Sequence, residues 1–205
     1  MGFEVIEGPA KILWATLVAE YDLAKNEDVR TRLASLANNA WTSFQEFDAV
    51  KSHGAANIGD RFYAYQVEHS AKLFDDEAFL SLKDAMGEVF GAAMTTFFNE
   101  QVSPKQKANV FCWATVGGGS TSASGGSFHP PHHHKNSALS AVFYVTAPAQ
   151  SAPITFMDPR QTGNIHEHAP RQGSVVVFPS SLLHYVSVSN SETTRVSFSC
   201  NLPGR

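Results

Sequence analysis

The apolar positions of this chain follow two different periods. In the first half they recur every three or four residues. Ile12, Leu13, Leu17, Val18 and Tyr21 share a face and predict a helix opened by Pro9. Val29, Leu33, Leu36, Ala40 and Trp41 predict a second helix from about Asp28. The strongest pattern is Phe79, Leu82, Met86, Val89, Ala93 and Phe97, with Asp75 or Asp76 as its N-cap. Leu80, Phe90, Met94 and Phe98 broaden that stripe to the width of a helix laid across a sheet. Residues 3–7 predict a short edge strand. Residues 61–67 alternate and predict another, and residues 52–60 have the composition of a loop.

Near Pro104 the period falls to two. Short β-rich runs occupy residues 110–116, 139–146, 154–157, 174–178, 184–189 and 195–200. Turn signals such as Asp158-Pro159, Gln172-Gly173 and Ser189-Asn190-Ser191 separate them. With no helical pattern between them, they predict an antiparallel sandwich or barrel. The fold class is α+β with a mainly β core, helices first and strands second. One domain is expected over residues 1–205, with 1–105 as a helical support region and 106–205 as the core. Residues 117–127 are a Gly/Ser run read as a mobile lid or surface hairpin. It is not a phosphate loop, because no Gly-Lys-Ser/Thr follows it.

Composition narrows the function classes. The chain has 205 residues and a net charge of −4, without a basic cluster of the kind that binds nucleic acid. No apolar run reaches membrane-spanning length, and the N-terminus lacks a signal-peptide core. Cys112 and Cys200 lie in apolar runs and read as buried thiols in a reducing, cytoplasmic setting. Nucleic-acid and membrane partners are therefore not expected, and the Gly/Ser run suggests a gate over a small-molecule substrate of small or medium size. Nothing in the residues indicates an oligomeric state.

The chemistry concentrates in His129-Pro130-Pro131-His132-His133-His134, which runs directly into the strand at 139–146. His132 and His134 are two apart, so on extended chain they point to one side and could share a metal ion. His133 should point the other way, and His129 reads as a loop residue. His184 stands at the start of a later strand. Beyond it, Arg195, Ser197 and Ser199 alternate with Val196, Phe198 and Cys200. If the polar face lines a cavity, it offers a guanidinium and a hydroxyl to one carboxylate. Trp113 and Tyr144 read as core or cavity wall, and Asn136 as a turn former. His166 and His168 read as a solvated loop at the cavity rim.

The second half resembles the iron(II)- and 2-oxoglutarate-dependent oxygenases. It is similar in particular to a branch with the motif His-x-His-x-Asn-Ser-x-Leu-Ser-Gly-Val-x-Tyr-Val. Here the segment from His132 to Val145 matches, with Ala141 in place of Gly. Asp158-Pro159-Arg160, Gly173, Phe178-Pro179-Ser180, His184 and the run from Arg195 to Asn201 follow in the branch's order. The resemblance covers about residues 110–202. It implies a double-stranded β-helix (jelly-roll) core, iron(II) as cofactor and 2-oxoglutarate as co-substrate alongside O₂. His132, His134 and His184 would be metal ligands. Arg195 would pair with the remote carboxylate of 2-oxoglutarate, and Ser197 would add a hydrogen bond. The implied activity is a dioxygenase reaction, hydroxylation of a small or medium-sized substrate with release of succinate and CO₂.

His134 departs from the family, most of which has Asp or Glu there. Three readings stay open. His134 is a third ligand, or water or Asp158 completes the site, or the site is degenerate. A cupin-type three-histidine dioxygenase that needs no 2-oxo acid is the alternative enzyme. A jelly-roll binding module with incidental histidines is the non-enzymatic one. A zinc hydrolase lacks a clearly posed general base.

Overall fold

The computed structural model describes residues 3–13, 16–23, 26–51, 58–118, 128–160, 163–189 and 191–204. Strands β1 (Ile6–Leu13) and β2 (Thr16–Asp22) come first. Helices α1 (Glu27–Lys51), α2 (Ile58–Leu73), α3 (Glu77–Phe98) and the short α4 (Pro104–Ala108) follow. The rest is β3 (Phe111–Gly118), β4 (His129–His132), β5 (Ser137–Thr146), β6 (Ile154–Met157), β7 (Ile165–His168), β8 (Ser174–Pro179), β9 (His184–Val186) and β10 (Thr194–Pro203).

The strands form two antiparallel sheets. The larger has the order β1-β2-β8-β5-β10-β3, the smaller β4-β9-β6-β7. Strand alternation divides the larger sheet into two chemical faces. On β5, β8 and β10 the residues Phe143, Val145, Val175, Val177, Phe198 and Cys200 turn toward the helices. There they join Leu33 and Phe44 of α1 and Leu82, Met86 and Phe90 of α3 in one buried core. The opposite face meets the smaller sheet, where Tyr144, Val176 and Phe178 pack with Ile154 and Phe156. The α+β architecture with a mainly β core is therefore as expected.

α3 begins where its cap predicts. Asp76 accepts a hydrogen bond from the Ala78 amide at 2.9 Å and two from the Arg32 guanidinium. Its C-terminus closes on Asn99, in left-handed backbone at φ 53°. α2 anchors β3, an outer strand of the larger sheet among the described residues. Buried Gln66 donates to the Ala114 carbonyl on β3 at 3.0 Å and accepts from the Ala114 amide at 2.7 Å.

Three expectations change. The helix predicted from Pro9 is the β1–β2 hairpin, which extends the strand expected at residues 3–7. β2 is recruited by the edge of β8, pairing Ala19 with Val177 and Tyr21 with Val175. Pro9 lies in a register break between Glu7 and Ala10, where the ladder tolerates a missing N–H. A Cβ on Gly8 would collide with the Glu20 carbonyl, so the close approach needs glycine. The strand predicted at 61–67 lies within α2, because its buried members Phe62 and Gln66 are four apart. Residues 58–60 of the predicted loop also belong to α2. Residues 52–57 of that loop and 119–127 of the Gly/Ser run lie outside the described residues.

Cys112 and Cys200 face each other across β3 and β10 as buried free thiols. Among the described residues no helix is long and apolar enough to cross a membrane.

Candidate active site

The register of β4 on β9 makes His132 and His184 direct partners. Two residues after His132 the chain turns. The His134 amide donates to the Ser180 carbonyl at 2.9 Å, which returns this side chain to the same side. One ligand nitrogen from each of His132, His134 and His184 lies within 4.8 Å of the other two. His184 is buried, and the other two are half-buried.

Backbone carbonyls place two of the ring protons. His132 Nδ1 lies 2.7 Å from the Pro130 carbonyl oxygen, and His184 Nδ1 lies 2.8 Å from that of Leu182. A carbonyl only accepts, so each Nδ1 carries the proton and each Nε2 keeps its lone pair. Burial pushes His184 down to about 3, partly offset by its bond to the Leu182 carbonyl. Burial pushes His134 down to about 4. Both rings are therefore neutral near pH 7, as a metal ligand must be.

The opposite wall is β10. Arg195, Ser197, Ser199 and Asn201 line a cavity of about 290 Å³ that also holds the three imidazoles. Arg195 is only 5% exposed, and burial lowers the affinity of its guanidinium for the proton. Its Nη1 donates to the Ala152 carbonyl at 2.9 Å. Its Nε is buried without a partner, and among the described residues it makes no ion pair. A buried cation in that condition is costly, and an anion entering the cavity would offset the cost. Tyr144 lines the same cavity. Trp113 stands beside His134, ring centroids 5.7 Å apart, and Tyr63 of α2 meets Trp113 edge-on at 5.4 Å.

The alternation predicted for β10 is present, with Arg195 and Ser197 on the cavity face. His133 is exposed. His129 is corrected: it belongs to β4, pairs with Val186 and lines the cavity. Burial, then the nearby Arg195 charge, push its imidazole down to about 4. His166 and His168 are also corrected, since they form β7 and pair with Phe156 and Ile154. Asp158 is buried, engaged by Arg160 at 2.8 Å and 3.0 Å, and does not line the cavity. It therefore does not complete the histidine cluster. Tyr63, Asp60 and Thr115 also line the cavity. On α2, the misread strand concealed the placement of Tyr63 and the misread loop that of Asp60.

Residues 120–201 match the model of a family described as "Putative 2OG-Fe(II) oxygenase". The matched stretch lies in the β core, which is where the chain is similar to the 2OG-Fe(II) oxygenases. That family works with iron(II) and 2-oxoglutarate, and a cluster of three imidazoles suits iron(II). Among solved structures, the chain is similar to the non-heme alpha-ketoglutarate-dependent carbocyclase SnoK from nogalamycin biosynthesis. The TM-score is 0.54 at 10% identity, covering 89% of this chain and 78% of that one. AviO1 from Streptomyces viridochromogenes Tue57 gives 0.52 at 12% identity, covering 91% and 89%. A Trichoplax adhaerens prolyl hydroxylase, solved with a hypoxia-inducible-factor peptide, gives 0.51 at 11%, covering 91% and 83%. At these identities the likeness is one of fold, the jelly roll of 2OG-Fe(II) oxygenases. No curated protein matches the chain.

Proposed function

We infer that this protein is a 2OG-Fe(II) oxygenase that hydroxylates a small or medium-sized organic substrate. One C–H bond, O₂ and 2-oxoglutarate would be converted to C–OH, succinate and CO₂. The observation that carries the reading is a single cavity in which three imidazoles converge and a buried guanidinium has no counter-charge.

In this reading His132, His134 and His184 hold iron(II). Bound there, iron supplies the redox chemistry that lets O₂ attack a C–H bond. Arg195 takes the remote carboxylate of 2-oxoglutarate, and Ser197, one step along the same face, adds its hydroxyl. The Ala152 carbonyl fixes the guanidinium before the ligand arrives, so little side-chain entropy is lost on binding. Trp113 and Tyr63 give the cavity an aromatic wall beside His134. With histidine in place of a carboxylate, the imidazole cluster brings no negative charge to the ion. The dianionic co-substrate supplies it, so metal and co-substrate should strengthen each other's binding. Residues 1–205 would act as one domain, with the helices stiffening the outer face of the sheet that carries β10.

The all-histidine donor set also suits a cupin-type dioxygenase without a 2-oxo acid. In such an enzyme Arg195 would remain a buried cation without an anion, which favours the first reading. Anaerobic addition of Fe(II) and then 2-oxoglutarate, followed by visible absorption, tests it. A weak charge-transfer band should appear only with both present. Metal binding without a band, and without affinity for 2-oxoglutarate, would sink the reading and leave the cupin-type one.

A further inference from the structure

Carbonyls set the tautomers of His132 and His184, but His134 faces a side-chain amide. Its Nδ1 lies 3.3 Å from the Asn201 amide nitrogen. An amide nitrogen only donates, so Nδ1 accepts there and the proton of the neutral ring sits on Nε2. Nε2 is the nitrogen left to face an ion, and in this state it offers a proton instead of a lone pair.

The groups behind Asn201 can reverse this. The Ser140 hydroxyl donates to Asn201 Oδ1 at 2.8 Å, and Ser140 and Ser180 share a hydrogen bond of 2.8 Å. Both serines are buried, 2% and 0% exposed. Each hydroxyl can donate or accept. A half-turn of the amide exchanges its oxygen and nitrogen with little change of shape. The line from Ser180 through Ser140 and Asn201 to His134 can therefore run in either direction with its internal hydrogen bonds kept.

We propose that Asn201 is a positioning residue for the metal centre and that its amide turns over when the ion is loaded. Oδ1 then accepts from His134 Nδ1–H, and Nε2 is free to ligate. The Asn201 amide nitrogen donates to Ser140 Oγ, and the Ser140 hydroxyl donates to Ser180 Oγ. The ring exchanges a proton on Nε2 for one on Nδ1, so no net proton is taken up or released. This rests on the reading of His134 as the third ligand.

The test uses the full chain with Zn(II) as a diamagnetic probe and ¹⁵N-labelled histidine. Without metal, His134 should show a bare Nδ1 and a protonated Nε2. With Zn(II) it should show Nδ1–H and a coordinated Nε2. The same tautomer in both states overturns the proposal. Asn201→Leu removes the acceptor and should weaken Zn(II) binding about 10- to 100-fold. Asn201→Asp keeps an acceptor and should bind at least as tightly as the native chain. Unchanged affinity in Asn201→Leu, or weakening in Asn201→Asp as large as in Asn201→Leu, counts against it. If Asn201→Leu does not fold, the native spectra and Asn201→Asp still decide. His134→Ala separates the two levels. Full affinity in that variant removes His134 as a ligand. Lost affinity there with a normal Asn201→Leu leaves the ligand and refutes only the role of Asn201.

Discussion

His132 and His184 sit directly opposite each other on β4 and β9, with ring centroids 4.3 Å apart. Their spacing is set by backbone pairing and by two carbonyls, not by flexible side chains. Either alanine variant should therefore lose most of the site at once. We expect a drop in Zn(II) or Co(II) affinity of more than about 100-fold for each. The double variant should be little worse than either single one, because the groups act as a unit. Isothermal titration decides. Affinity retained in both singles would show that the ion is held elsewhere.

Arg195→Met makes opposite predictions for ligand and fold. It should weaken 2-oxoglutarate binding by about 1.5–3 kcal/mol, the usual worth of hydrogen bonds to a charged group, and leave metal affinity without co-substrate unchanged. The ligand-free protein should melt higher, because a buried charge without an ion pair is replaced by an apolar chain. A lower melting temperature together with intact 2-oxoglutarate binding would assign Arg195 a structural role.

Acid should destabilise the metal-free protein through its histidines. The rings of His129, His134 and His184 are held down at about 4, about 4 and about 3, from 6.5 in an unperturbed chain. In that interval the unfolded chain binds protons that the folded one does not. Stability is thus fully present above about 6.5 and lost as pH falls toward 4 and then 3. Urea unfolding between pH 7.5 and 4.5 should show a falling free energy, with a shallower slope in His129→Gln. A flat profile would mean that these rings are not buried neutral.

Trp113 should report metal loading. Its ring is 5.7 Å from that of His134, close enough for Co(II) at the histidines to quench its fluorescence. Trp113→Phe should bind Co(II) normally and lose most of the quenching. Quenching that survives unchanged would come from another tryptophan.

The β core was legible because each core strand of the larger sheet separates two environments. Val196, Phe198 and Cys200 meet helices, while Arg195 and Ser197 meet a cavity, so the alternation is visible in the letters. α3 was legible for a similar reason, with a broad stripe and a sound cap at Asp76. The β1–β2 hairpin was not. Ile12, Leu13, Leu17, Val18 and Tyr21 satisfy a helical period, and the edge of β8, some 150 residues away, decides otherwise. In the site, His132 and His184 stood out by residue type and order. His129 did not, because β4 exists only through its pairing with β9, and Pro130-Pro131 conceals it. Asn201 carried a motif position but no visible task, since its meeting with His134 depends on how β10 ends beside the turn.

The amide of Gln66 has a consequence for how molecules meet one another. Among the described residues β3 is an outer strand of the six-stranded sheet, and such margins are templates for pairing with foreign strands. At Ala114 both backbone groups are already occupied by a side chain of α2. A neighbouring molecule that approached this margin would find its central rung taken. Gln66→Ala should thus do more than loosen a helix: it would open a place where two copies could begin to zip together, on the very strand that carries Trp113.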